Sequence, residues 1–189
     1  MEKITRWTVA LLISLLWIAG CSVSHNLSDA EKSALVTEKD FANYAEKVSK
    51  ENRGKFKKTA IYLNSSYQLE YQTDAKNARI YIYSTVGVEK SEAKARTMAT
   101  SYKTGATMGF KFGDLQEEPI KLTNKIGQNE SLSLLKYKGK PAGNLFATAI
   151  DKKAVLVLFT GVYFDNEQDF RQFIDGYIER VTNFQIDKS

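Results

Sequence analysis

Cysteine and histidine are almost missing from this chain: 189 residues hold one of each, Cys21 and His25. His25 lies four residues after Cys21, ahead of the first periodic segment, which takes histidine out of any folded active site. An enzyme built on this sequence would have to work with Asp, Glu, Lys, Tyr and Ser alone. A membrane-length apolar run is missing as well. The N-terminal one, Trp7 to Ala19, has thirteen residues, about 20 Å as a helix against roughly 30 Å of bilayer hydrocarbon. Only two prolines occur, and no Ser/Gly or Pro-rich stalk that would hold a domain far from an anchor. The glycines Gly105, Gly109 and Gly113 follow no strand, and no Gly-Lys-Ser/Thr comes after them, which excludes a nucleotide loop. Gly109 reads instead as the left-handed C-terminal residue of a helix. Neither an internal repeat nor a second domain is visible.

What is present begins where the apolar run ends. Lys3 and Arg6 precede the run, and the small residues Ala19 and Gly20 lead to Cys21, which is the layout of a secretory signal with its cleavage site. The plain reading is an ordinary signal peptide with a chance cysteine, or a membrane anchor. Ile18-Ala19-Gly20-Cys21, however, closely resembles the lipobox of bacterial lipoproteins. That resemblance implies a leader over residues 1–20, a diacylglycerol on the Cys21 thiol and often a further acyl chain on the new amino group. Two or three chains meet the requirement for stable membrane anchoring. Serine at position 22, where inner-membrane lipoproteins of Gram-negative cells usually carry aspartate, implies the outer membrane and its periplasmic face. In a Gram-positive cell the same motif implies the outer face of the cytoplasmic membrane. With Cys21 acylated, no thiol remains for a disulfide, a nucleophile or a metal. Loss of Glu2, Lys3 and Arg6 leaves 25 basic and 21 acidic side chains, a net charge of +4.

Residues 21–58 read as the lipidated N-terminus and a short helical tether, with a single domain over 59–184 and a tail at 185–189. Ser28-Asp29-Ala30-Glu31 fits a capping box, and Thr37 can cap a second short helix up to about Lys50. From Thr59 the period changes to two: Tyr67, Leu69 and Tyr71 alternate with polar residues, Ile80 and Ile82 with Tyr81 and Tyr83, and 73–77 is a hairpin turn. Ala95, Ala99, Tyr102 and Ala106 form a small-residue stripe on a helix over 90–108. Strands are expected at about 119–125, 130–138, 143–150 and 154–161, with turns at Gly139, Pro141 and Gly143 and at 151–153. Phe170, Phe173, Ile174, Tyr177, Ile178 and Val181 mark a final amphipathic helix over 166–181. Ala154 to Phe159 is apolar on both faces and must be covered on both. The fold class is therefore α+β, a central antiparallel sheet with helices packed on both faces. This order of elements after a lipobox resembles the PsbP-like domains, an α/β/α sandwich that includes periplasmic lipoproteins of the DcrB type. The resemblance implies an accessory or assembly factor and carries no functional residue across.

Four groups of residues are candidates for chemistry. Lys50, Arg53, Lys55, Lys57 and Lys58 form a basic run suited to an anionic surface such as lipid headgroups or lipopolysaccharide phosphates. The plainer reading is a solvated segment whose lysines protect an edge strand. Tyr67, Tyr71, Tyr81 and Tyr83, with Tyr62 nearby, offer a half-wet binding face for a glycan or peptide, or else cross-strand packing, which is the preferred reading. Glu117 and Glu118 read as adjacent residues of an extended segment pointing different ways. Asp165, Glu167 and Asp169 read as a helix start, with Asp165 or Asn166 as its cap, rather than as a glycosidase pair. No catalytic residue, metal site or cofactor is assigned, and the chain is expected not to be an enzyme. The expected function is binding: an envelope accessory factor held to the membrane through Cys21, with an envelope protein as partner and no nucleic acid. The alternatives are a carrier of a lipid or glycan fragment and, last, a carboxylate-based envelope hydrolase.

Overall fold

The structure, a computed structural model, describes residues 27–48, 54–61, 66–110 and 114–185. The leader, Cys21, Ser22, His25, Lys50, Arg53, Tyr62 and Gly113 lie outside the described residues.

The capping box forms as the sequence expects: the Glu31 amide donates to the Ser28 hydroxyl at 3.2 Å, and the Ser28 amide donates to the Glu31 carboxylate at 2.8 Å. It opens a short helix, α1 (Asp29–Ser33), followed by a 3-10 segment, Glu38–Lys47, kinked at Phe41 and Tyr44. This stretch is not a tether. Leu27, Ala34, Leu35, Val36 and Phe41 are all buried in the main core, and the Val36 amide donates to the buried Ser84 hydroxyl at 2.9 Å. The folded unit thus begins at least at Leu27, well before the expected boundary at 59.

Seven strands follow: β1 (Lys55–Ile61), β2 (Ser66–Gln72), β3 (Tyr81–Val88), β4 (Leu115–Ile120), β5 (Gln128–Tyr137), β6 (Lys140–Ile150) and β7 (Lys153–Thr160). Every pairing is antiparallel, in the order β1-β2-β3-β7-β6-β5-β4. The chain therefore runs out to β3, crosses by a helix, α2 (Glu92–Phe110), and meanders back from the far edge to place β7 beside β3. Both central strands are buried almost throughout, which accounts for the unbroken apolar run in β7. The chain closes with α3 (Glu167–Asn183), where Asn166 and not Asp165 caps, accepting from the Asp169 amide at 2.9 Å. At the other end of α3, Lys153 donates to the Val181 and Thr182 carbonyls at 2.8 and 2.9 Å, satisfying two orphan acceptors of its last turn.

Alternate strand residues feed two apolar clusters. One joins Leu69, Tyr71, Ile82, Val86, Phe146, Val157 and Phe159 to the N-terminal segment and to α3 through Phe170, Ile174, Tyr177 and Val181. The other joins Tyr81, Tyr83, Leu145, Leu156 and Leu158 to Ala95, Ala99, Tyr102, Ala106 and Phe110 of α2. Three local expectations are corrected. Gly109 lies buried inside α2 without a positive φ, because the buried stripe runs on to Phe110. Pro141 and Gly143 belong to β6: the hairpin needs only Lys138 and Gly139, both at positive φ, while a side chain at Gly143 would meet the Phe159 carbonyl oxygen at 1.9 Å. And β4 ends at Ile120, because residues 121–127 bend away to meet α3. No described helix is long and apolar enough to cross a membrane.

Candidate functional site

The four tyrosines are not brought together on one face. Antiparallel partners share a face, and the β2–β3 register pairs Tyr71 with Ser84 and Gln72 with Tyr83. Tyr67 and Tyr71 therefore point toward α3, Tyr81 and Tyr83 toward α2. Tyr71 is buried against Phe56, with ring centroids 4.8 Å apart. Tyr67 is half-buried, with the Lys58 ammonium 5.2 Å above its ring. Burial raises both phenols well above their usual range, with Glu31 adding to the effect at Tyr67 and Glu38 at Tyr71.

The pair on the α2 side is different in kind, because it surrounds a carboxylate. Glu70 projects from β2 directly opposite Thr85 of β3 and Lys57 of β1. Its carboxylate accepts from the Tyr83 hydroxyl at 3.2 Å. Burial pushes the Glu70 carboxyl above the usual range, against the Lys57 charge and the Tyr83 bond, which pull it back. Burial, then the nearby Glu70 charge, likewise raises the Tyr81 and Tyr83 phenols. Tyr102 comes down from α2, and its hydroxyl lies 2.5 Å from where a Cβ on Gly87 would stand, which explains glycine there. Among these groups the buried Tyr81 hydroxyl finds no hydrogen-bond partner among the described residues, while the Thr85 hydroxyl meets that of Tyr102. The sequence reading missed Glu70. Its signal was available in the alternation Gln68, Glu70, Gln72, the polar face of a strand whose other face carries the tyrosines.

The basic run does not form one patch in the described residues. Lys58 pairs with Glu31, whose carboxyl burial would raise but which Lys58 and Ser28 hold below the usual range. Lys57 lies on the opposite face, beside Glu70, and Lys55 is exposed. All three lie on β1, an edge of the sheet, where lysines oppose edge-to-edge pairing.

The remaining carboxylates serve the fold. Glu117 accepts from Ser133 at 2.6 Å and from Thr107 at 2.9 Å, while Glu118 pairs with Lys136. Glu167 accepts from the Thr123 hydroxyl at 2.6 Å, the Thr123 amide at 2.8 Å and the Asn124 amide at 3.2 Å. Those bonds, the hydroxyl first, lower its pKa to about 2. An open groove of about 680 Å³ runs between this loop and α3, and its charged groups are all engaged, Glu167 and Arg171 with the loop and Arg171 with both Glu167 and Asp175. Asp165 and Asp169 both accept from the Asn166 side chain. No group of three or more Asp, Glu, His or Cys able to hold a metal occurs among the described residues. No family model matches the chain, and neither a curated protein nor a solved structure is significantly similar to it.

Proposed function

We propose that this chain is a lipid-anchored protein of the bacterial cell envelope that acts by binding, as an accessory or assembly factor for an envelope protein or polymer. In this reading Cys21 carries the acyl chains and the outer membrane is the site, or the outer face of the cytoplasmic membrane in a Gram-positive cell. The observation that carries it is the lipobox together with the burial of Leu27: only residues 22–26 separate the acylated position from the core. Six Cα steps span at most about 20 Å, so the domain is held at the bilayer surface, where a partner anchored in the same membrane meets it. The PsbP-like reading is supported by the element order and by the two clusters, α2 on one and α3 with the N-terminal segment on the other. The test is expression of the full chain and its Cys21→Ala variant with labelled palmitate, followed by fractionation. The parent is expected in the membrane fraction carrying label, and the variant in neither. A variant that still fractionates with membranes, beside an unlabelled parent, would end the anchor reading. Crosslinking in cells then tests the partner: a discrete adduct supports an accessory factor, and monomer alone counts against it.

A second reading, a carrier of a small ligand, is favoured by one observation, the half-buried Glu70 with the unpartnered hydroxyl of Tyr81 near it. Native mass spectrometry of protein purified from cells is expected to show a bound mass if the chain is a carrier, and ligand-free protein throughout if it is not.

A further inference from the structure

The fold gathers one end of the sheet around the point where the N-terminal chain enters. Tyr67 pairs with Val88 and Val88 with Lys153, and beyond them the Glu89 amide donates to the Lys152 carbonyl at 2.8 Å. Lys153 holds the last turn of α3 at this same end. Phe184 and Gln185, just after α3, line a groove with Ala30 and Ser33 of α1, and Glu31 of α1 lies close to Tyr67. Leu27 therefore enters the core beside the turns after β3 and β6 and the start of α2. That end is basic. Lys90, Lys94 and Lys152 are exposed, and none has an ion pair among the described residues. The same holds for Lys125, two residues before Gly127, where a Cβ would stand 2.6 Å from the Ala149 carbonyl oxygen. Most acids of this end are engaged. Glu92 lies 4.0 Å from Arg96, Asp29 lies 3.5 Å from Lys32, and the buried Glu89 accepts from Ser66 at 2.7 Å. Asp151, beside Lys153, and Glu179 remain. The opposite end sets Asp74, Asp114 and Asp165 among its cations.

Charge and reach point to the same partner. An anionic lipid surface attracts cations within about a Debye length, roughly 8 Å at physiological salt. Six Cα steps bring Leu27 to at most about 20 Å from the acylated residue, so the basic end is the one that the tether delivers to the headgroups. Lysines of the opposite end stand off by the length of a strand such as β3, eight residues or about 26 Å. We infer that this end of the domain, with Lys90, Lys94 and Lys152 as its contacts, docks on anionic lipid headgroups of the membrane that carries the Cys21 acyl chains. Cations in this number orient a domain that the tether already holds and do not replace the tether. The inference rests on the anchor reading and adds an orientation to it: the turns after β3 and β6 lie on the bilayer, and the turn between β2 and β3 points away.

The test uses the lipidated chain in vesicles of phosphatidylcholine, alone or mixed with phosphatidylglycerol, that carry lipid spin-labelled at the headgroup. One protein has Ala93→Trp, on the exposed side of the first turn of α2; another has Asn77→Trp, exposed in the turn between β2 and β3. On the anionic vesicles Ala93→Trp is expected to be quenched several-fold more than Asn77→Trp. Most of that excess is expected to vanish on the neutral vesicles, and also at about 1 M salt, where the Debye length falls to about 3 Å. Lys90→Glu/Lys94→Glu/Lys152→Glu is expected to abolish it on the anionic vesicles with circular dichroism and melting temperature unchanged. Lys55→Glu/Lys76→Glu/Lys140→Glu, an equal change of net charge at the opposite end, is expected to leave it as it was. Equal quenching at the two positions, the same pattern on both lipids, or an equal response to the two charge reversals overturns the inference. Every protein is also assayed for palmitate. An unlabelled parent removes the anchor and this inference with it, whereas labelled, membrane-bound protein with no lipid-dependent orientation removes the docking alone.

Discussion

Asn144 shows what a single polar residue does in this core. It is fully buried on β6, donates to the Ser133 and Phe164 carbonyls at 3.2 and 2.8 Å, and accepts from the Phe164 amide at 2.7 Å. It thereby fastens the segment after β7 to the sheet, so that Phe164 stacks with Phe173, ring centroids 5.2 Å apart. Asn144→Leu keeps the branched shape, though not the volume, and takes the hydrogen bonds from three backbone groups; the expected loss is about 3 kcal/mol or more in urea unfolding. Glu70 gives the opposite sign at the same scale. Its folded pKa lies above the ordinary value of 4.5 because burial disfavours the charge. The folded state therefore holds the proton more tightly than the unfolded chain does. The stability linked to that proton is complete below the unfolded value and is lost as pH rises through the folded one. Glu70→Gln is uncharged at every pH. Calorimetry from pH 4 to 8 is expected to show equal melting temperatures at the acid end and a variant that melts a few degrees higher at the alkaline end. A constant difference would mean that the ionised carboxylate is well accommodated.

At the scale of elements, the N-terminal segment behaves as part of the core. Arg180 of α3 pairs with Asp40 and donates to the Ser33 carbonyl at 2.9 Å, so the segment and the last helix hold each other. Removing residues 1–48 would strip Leu27, Leu35, Val36 and Phe41 from the interior. At roughly 1.5–3 kcal/mol for each fully buried side chain, that is comparable to the whole stability of a domain, about 5–15 kcal/mol. A chain beginning at residue 49 is expected to be aggregated or unfolded by circular dichroism and gel filtration, and one beginning at 27 to be folded. The contact between α3 and the 121–127 loop has its own signature. Glu167 is held at a pKa of about 2 by the Thr123 hydroxyl first and then by the loop amides. Its contribution is present above the ordinary carboxylate value and is lost as pH falls toward 2. Glu167→Gln is expected to speed amide exchange at Thr123 and Asn124 at neutral pH, with the difference fading in acid. What the sequence made legible was what contiguous periodicity encodes: the stripe of α3, the small-residue stripe of α2, the doubly apolar β7 and the cap at Ser28. The N-terminal segment escaped because its buried positions, 27, 34, 35, 36 and 41, fit no single period across a kinked 3-10 stretch. The division of the tyrosines escaped for another reason. Alternation shows that Tyr67 and Tyr71 share one face and Tyr81 and Tyr83 another, but only the hairpin register shows that the two faces are opposite. Glu70 beside Thr85 rests on that same register.

At the scale of the molecule, the short link from Cys21 to the core turns the anchor into a geometric constraint. Both tryptophans, Trp7 and Trp17, lie in the leader, so under the lipoprotein reading the mature chain has none and a single introduced tryptophan reports alone. Gln185 is exposed and lines a groove with Ala30 and Ser33, which places the end of α3 beside the start of the folded unit. Gln185→Trp in vesicles carrying a dansyl-labelled lipid is expected to show strong energy transfer, because Leu27 lies within about 20 Å of the acylated residue. Thirty Gly/Ser residues inserted after Ser24 add a mean reach of about 30 Å, and transfer is expected to fall several-fold. Equal transfer in the two proteins would mean that the domain surface itself, with its +4 net charge, holds it to the lipid. Absence of transfer in both would remove the membrane-flush placement on which the accessory-factor reading depends. A fall on lengthening alone ties position to the five residues between Cys21 and Leu27, and a partner of the domain must then reach within that distance of the membrane.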